Sequence, residues 1–325
     1  MPSNISMAFN VISVTNSGFD KIILKDEGTQ AAVEIIPACG AILHAFIVFH
    51  NGKLMNVVDG YASDADFADH VETKGFKSCK LSPFACRIKN AVYKFAEQEY
   101  TVDKYLSAGN ALHGLLYDAP FTVTHKEATN EKAMVVLTYA YKGGNSGYPF
   151  KYDCIVTYTL TKENTLRINT EIVNRDEGLI PMQDGWHPYF TFGGTIDDLQ
   201  LEFQSKEQIV FDATMIPTGE TVPYQQYGSL KKIGAAQFDD CFSINFAECQ
   251  PACILRDAGN KMQVEIHPDK SYPYLQIYTP PHRNSIAIEN LSAIPDAFNN
   301  GIGLITLAPQ ATKSFATTYK ITLLK

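Results

Sequence analysis

Short runs of β-branched and aromatic residues recur along the chain, many alternating apolar with polar at period two and closed by Gly, Asn, Asp or Pro. That rhythm describes strands with one buried and one wet face, and it leaves few stretches with the three-to-four spacing of a helix. One hairpin has a stated turn chemistry. Ala41–Phe49 joins Lys53–Val58 through Asn51-Gly52, a dipeptide that tolerates the positive φ angles of a tight turn. A second joins Tyr152–Leu160 to Leu166–Val173, where Cys154, Val156, Tyr158 and Leu160 alternate with more polar neighbours. Further pairs are expected between Phe121–Thr124 and Met134–Tyr141, Ala252–Arg256 and Gln263–Ile266, and Gly303–Leu307 and Ser314–Leu323.

Sheets with one apolar face must bury it, so the expected fold class is all-β, with two curved sheets packed face to face. No fixed-period repeat, βαβ alternation or Gly/Ser- or Pro-rich linker divides the pattern, so residues 1–325 are read as a single domain. The apolar fraction of 45% and charged fraction of 19% fit a chain with a sizeable core. Asp59–Lys80 breaks the strand rhythm and suits a surface excursion or a short helix.

Several function classes are disfavoured at this level. With 27 Lys+Arg against 35 Asp+Glu and no basic block, nucleic acid is not an expected partner. The start, MPSNISMAFNVIS, lacks the layout of an export signal, and no run of apolar residues is long enough to span a membrane, so a cytoplasmic protein is expected. The seven cysteines, at 39, 79, 86, 154, 241, 249 and 253, include no C-x-x-C pair and read as reduced, buried thiols. The histidines form no H-x-H or H-E-x-x-H pattern, and neither G-x-G-x-x-G after a strand nor a phosphate-cradling loop occurs. No metal or organic cofactor is expected, which leaves the chemistry to side chains.

Five side chains stand out before any comparison. His113 lies in NALHGL beside a glycine that permits close backbone approach, and His187 lies in GWHPYF beside the sole tryptophan. An aromatic wall with a histidine at its mouth suits a sugar, whose C–H faces stack on rings while its hydroxyls need donors and acceptors. Glu289 lies in SIAIENL, where alternation sets Ile286 and Ile288 on one face and Ala287 and Glu289 on the other. Arg87 sits within the small, apolar run SPFACRI, and Asp239 opens DDCF. Each also has a structural reading: a hydrogen-bonded core histidine, an aromatic cluster, a solvent-facing glutamate, a paired arginine, a turn-initiating aspartate.

Taken in order, these segments resemble the aldose 1-epimerase (galactose mutarotase) family from Ser82 to Asn299. SPFACRI is similar to its arginine segment, NALHGL to N-x-L-H-G-G, GWHPYF to its second histidine segment and DDCF to D-x-x-F. YLQIYTP is similar to its Q-x-Y strand, and IENLSAIPDAFN to E-x-Q-x-x-P-D-A-x-N. The resemblance implies a β-supersandwich, no cofactor and a small-molecule sugar substrate. It also implies His187 as general acid and Glu289 as general base, with Arg87, His113, Asp239 and Gln276 holding sugar oxygens. Three positions depart from the pattern: Cys86 replaces Asn, Leu115 replaces the second Gly of L-H-G-G, and Leu291 replaces Gln.

Exchange of α and β anomers needs a proton taken from the C1 hydroxyl and one given to the ring oxygen, so one base and one acid suffice. His187 must then carry a proton, a state that a neighbouring carboxylate such as Asp239 is expected to favour. Alternatives on the same scaffold are a hexose-6-phosphate mutarotase, with Lys80, Lys89 or Arg283 receiving the phosphate, and a non-catalytic carbohydrate-binding or regulatory protein. A sandwich glycosidase would need a second catalytic carboxylate, for which Asp239 is the candidate. The identity of the sugar and the oligomeric state are left open.

Overall fold

The computed structural model describes residues 8–15, 18–247 and 251–324. The first seven residues of the segment read for export, and Cys249 among the thiols, lie outside the described residues. Every strand pair of the three large sheets is antiparallel. A five-stranded meander (Phe9–Val14, Lys21–Asp26, Ala32–Ile36, Ile42–His50, Lys53–Asn56) comes first in the chain. Its last turn is the expected one, with Asn51 and Gly52 both at positive φ, 49° and 78°.

A nine-stranded sheet forms the back of the sandwich, with Tyr152–Thr161, Thr165–Asn174 and Thr312–Leu323 side by side near its middle. Its alternation is the one in the sequence: Tyr152, Cys154, Val156, Tyr158 and Leu160 are fully buried, while their intervening neighbours are half-exposed. The eight-stranded sheet that faces it runs Pro217–Pro223, Ser205–Phe211, Asp239–Ile244, Tyr274–Tyr278, Ile286–Leu291, Gly185–Trp186 and Lys80–Leu81. Its remaining strand, Tyr189–Phe190, pairs off the path with Ile286–Leu291. Aromatic contacts tie the two sheets, Tyr158 to Trp186 and Tyr319 to Phe190, and Thr317 donates to Asn290 Oδ1 at 2.8 Å.

The pairs predicted for Phe121–Thr124 and Ala252–Arg256 form as expected. The one predicted between Gly303–Leu307 and Ser314–Leu323 does not. Ile305–Leu307 pairs with Ile180–Met182 in a separate ribbon, and Thr312–Leu323 lies between Thr165–Asn174 and Met262–Pro268, with both edges taken by distant strands. Alternation identifies a strand's faces and says nothing of which backbone its edges meet, so nearness in sequence misled the pairing. The Asp59–Lys80 excursion carries one short helix, Asp64–His70, whose N-terminus is capped by Ser63 Oγ accepting from the Asp66 amide. The six described cysteines are buried free thiols.

Candidate active site

Adjacent rungs of the eight-stranded sheet set the floor of a cleft. Cys241 stands opposite Gln276, and Gln276 opposite Glu289; one rung along, Asp239 stands opposite Tyr278, Tyr278 opposite Ala287, and Ala287 opposite Tyr189. Side chains on neighbouring rungs of one face lie two residues apart along each strand, so Asp239, Gln276, Tyr278 and Glu289 share this face. The other face of Ile286–Leu291 turns Ile286, Ile288 and Asn290 toward the nine-stranded sheet. The buried Glu289 therefore owes its place to the alternation that buries its isoleucine neighbours behind it.

His187 enters from a break in the ladder. Pro188 interrupts the pairing between Gly185–Trp186 and Tyr189–Phe190, and the backbone at His187 is held by bonds to Cys79 O (3.2 Å) and from the Ser78 amide (2.8 Å). Its ring stacks on Tyr189, two residues on, at 5.2 Å, and meets the edge of His113 at 4.9 Å. His113 sits in the left-handed region (φ 62°), its amide bonded to Cys86 O. The next residue must be glycine, because a Cβ on Gly114 (φ 78°) would stand 2.4 Å from Ser82 O. Glu72, Thr73, Gly75 and Phe76, from the excursion after the helix, close the cleft from above.

The cleft holds about 280 Å³, and Arg87, His113, His187, Asp239, Gln276 and Glu289 all line it. His187 Nε2 and Glu289 Oε1 lie 3.3 Å apart, and both residues are less than 5% exposed. Four atoms here are buried without a protein partner: His113 Nδ1, His187 Nδ1, Gln276 Oε1 and Glu289 Oε2. Buried polar atoms are ordinarily paired, so four in one cleft describe a surface prepared for a polar ligand. The guanidinium of Arg87 forms no ion pair with any carboxylate among the described residues.

Electrostatics corrects one expectation. The carboxylate beside His187 is Glu289, whereas Asp239 Oδ1 accepts from Gln276 Nε2 at 3.0 Å. Burial pushes His187 down to about 4, so the imidazole is neutral at neutral pH in the free protein. Burial, and after it the Asp239 charge, hold Glu289 well above the usual carboxylate range against the pull of Arg87. Burial likewise lowers His113, with His187 and Arg87 adding to the effect, and raises Asp239. Both shifts disfavour the charged form of each member of the His187–Glu289 pair where no ligand compensates the charges.

Of the three departures from the family pattern, only Cys86 reaches the cleft, as a buried thiol at φ 52°. Leu115 belongs to the main core, and Leu291 packs in a small cluster with Cys86 and Cys241. None of the three cations considered for a phosphate lines the cleft. Lys80 is fully buried, bonded to Asp184 at 2.6 Å and lying over Trp186; Arg283 binds Asp197 and two backbone carbonyls; Lys89 is an exposed surface residue. Tyr189 and Tyr278 were not singled out from the sequence. For Tyr278 the signal was present, since it lies two residues beyond Gln276 on the same strand face, whereas Tyr189 follows His187 across the break at Pro188. Glu72–Phe76 had no such signal. Among the described residues no group of three or more His, Cys, Asp or Glu is arranged to hold a metal ion, and no helix is long and apolar enough to cross a membrane.

The all-β sandwich is shared with solved structures of galactose mutarotase-like proteins. A galactose mutarotase-like protein from Clostridium acetobutylicum superposes with a TM-score of 0.86 at 18% identity, covering 98% of this chain and 99% of its own. Galactose 1-epimerase from Lactobacillus acidophilus NCFM gives 0.81 at 20%, covering 98% and 100%. The Aldose 1-epimerase family model matches residues 20–320, and the chain belongs to the aldose 1-epimerase family. A maltose epimerase from Levilactobacillus brevis is 26% identical over 271 residues, 77% of this chain and 76% of the relative.

Proposed function

We propose that this protein is a hexose mutarotase that exchanges α and β anomers by opening and reclosing the pyranose ring, with Glu289 and His187 moving the protons. The observation that carries this reading is the 3.3 Å contact between His187 Nε2 and Glu289 Oε1 on the floor of one cleft. The two oxygens that must exchange protons, the C1 hydroxyl and the ring oxygen, are borne by the same carbon, so their acid and base must also be neighbours.

The single proton of the pair then serves both directions. A bound sugar that donates its C1 hydroxyl to Glu289 and offers its ring oxygen to His187 favours the charged arrangement, imidazolium with carboxylate. Glu289 takes the hydroxyl proton, His187 gives its own to the ring oxygen, and the C1–O5 bond breaks to leave an aldehyde and a free C5 hydroxyl. The pair is now neutral, with the proton on Glu289. After rotation about C1–C2, His187 takes the C5 hydroxyl proton as that oxygen attacks C1, and Glu289 returns its proton to the carbonyl oxygen. Arg87 and His113 stabilise oxygen charge as it develops, and Asp239 and Gln276 orient hydroxyls. The chain acts in this reading as one unit, since its largest core cluster draws residues from Phe9 to Ile321.

The test is polarimetry or NMR exchange on freshly dissolved α-glucose and α-galactose. Glu289→Gln and His187→Asn are each expected to lower the rate by about 10²–10⁴-fold with the protein still folded. Wild-type rates in both variants would overturn the assignment.

A further inference from the structure

The polar floor of the cleft ends abruptly. Glu289, Gln276 and Cys241 stand side by side across three strands, and one rung beyond them on the same face come Leu291 and Tyr274, which do not line it. Cys86 stands over that boundary: it lines the cleft beside Arg87 and packs in one small apolar cluster with Cys241 and Leu291. We propose that Cys86 is a specificity-determining residue of the cleft, presenting an apolar wall to one carbon of the sugar, so that the favoured substrates are deoxyhexoses with no hydroxyl at that carbon. The inference rests on the mutarotase reading and narrows its substrate class.

The backbone sets this side chain in place. Neighbouring side chains of an extended strand point to opposite faces, but Cys86 lies at φ 52°, in the left-handed region just before the Arg87–Ile88 strand, and both Cys86 and Arg87 line the cleft. The bend is held by the His113 amide, which donates to Cys86 O at 2.9 Å. Cysteine adopts that conformation less readily than glycine or asparagine, so the thiol is kept there against a local backbone preference. Strain of that kind, in a cleft, points to a use for the side chain.

The thiol offers a sugar hydroxyl little. Its sulfur has no hydrogen-bond partner among the described residues, and burial, then the Glu289 charge, hold it well above the usual thiol range. It therefore stays S–H, a weak donor and a weak acceptor. The rest of the lining differs: Arg87, His113, Asp239 and Gln276 all supply strong partners, and His113 Nδ1 and Gln276 Oε1 are buried without one. A hydroxyl pressed against Cys86 loses its water and gains no full hydrogen bond, whereas a CH₂ or CH₃ group there loses nothing. An apolar wall rejects an added hydroxyl only modestly, while a polar wall rejects a missing one severely. Deleting the sugar's hydroxyls one at a time therefore separates the two kinds of contact.

The experiment measures anomer exchange by NMR, above the spontaneous rate, for glucose and galactose and for their analogues lacking the C2, C3, C4 or C6 hydroxyl. It uses wild type, Cys86→Ser and Cys86→Ala: serine keeps the shape and adds a hydroxyl that donates and accepts, and alanine keeps the wall apolar. The expected result is that one deoxy analogue exceeds its parent hexose in wild-type kcat/KM by about 10–10²-fold, and that the others fall below it. Cys86→Ser lowers that one preference by about tenfold or more and leaves the ranking of the other analogues as in wild type, whereas Cys86→Ala retains it. A wild type that prefers the parent hexose to every deoxy analogue, or a preference that Cys86→Ser leaves intact, would overturn the wall alone. The wild-type ranking decides by itself if Cys86→Ser does not fold. Inactivity of the wild type on all of these sugars would overturn the parent reading, and the wall with it.

Discussion

The two residues at the centre of the site are held in an unusual proton balance, and pH exposes it. In kcat/KM the free protein's groups are reported, and His187 gains a second proton for the pair only below about 4. Anomerisation above the spontaneous rate should therefore stay flat from about pH 5 to neutrality; an acidic limb near the ordinary imidazole value of about 6.5 would mean that His187 titrates as an exposed group. Stability carries the same signature. Between 4.5 and 6.5, the ordinary values of the two groups, the unfolded chain holds one proton on His187 and the folded chain one on Glu289, so the pair adds no slope. Above 6.5 the unfolded chain holds no proton on either group, so over the range in which the raised pKa of Glu289 keeps the folded carboxyl protonated, stability falls with rising pH by up to about 1.4 kcal/mol per unit. Glu289→Gln removes that loss. Its unfolding free energy in urea should gain on wild type between about pH 7 and about pH 8, and parallel curves would show an ionised Glu289 in the resting protein.

At the level of elements, the strand Ile286–Leu291 shows how far a pattern reaches. Alternation in SIAIENL separated Ile286 and Ile288 from Glu289, and the fold keeps that division, with the isoleucines in the main core and the carboxylate in the cleft. The pattern left open whether the glutamate's face met water or a cavity, because that depends on what lies above the sheet. Here the covering piece is the turn after the Asp64–His70 helix, which had no periodicity to read. The NALHGL segment makes a sharper prediction. Gly114 stands against the carbonyls of Ser82 and Phe84 at positive φ, so Gly114→Ala should destabilise the protein by about 1–3 kcal/mol in thermal melts and displace His113, lowering activity even at temperatures where the variant is folded. An unshifted melt would mean that the two segments can part without strain.

Across the whole molecule, the site depends on a buried charge behind it. Lys80 and Asp184 are both fully buried and bonded to each other; Lys80 also binds Gly185 O, and Tyr272 donates to Asp184 at 2.6 Å. This network joins Lys80–Leu81 to the Gly185–Trp186 strand that leads into His187. Lys80→Met leaves Asp184 buried without its cation and should cost about 3–5 kcal/mol in urea unfolding, while Lys80→Met combined with Asp184→Leu should recover much of that. Equal losses in single and double variants would show that packing, not charge, sets the cost.

The chain's own residues determined its class of structure: period-two alternation and turn dipeptides act locally, so Asn51-Gly52 and the Tyr152–Thr161 strand were legible without partners. They also marked, through motif order, which polar side chains to watch. Tertiary structure alone decided which strand edges meet, as the unexpected partners of Ile305–Leu307 and Thr312–Leu323 show. It also decided which way burial shifts the central pair, because desolvation depends on everything packed around a group, and residues 102 apart such as His187 and Glu289 meet only once the sheet lays them side by side.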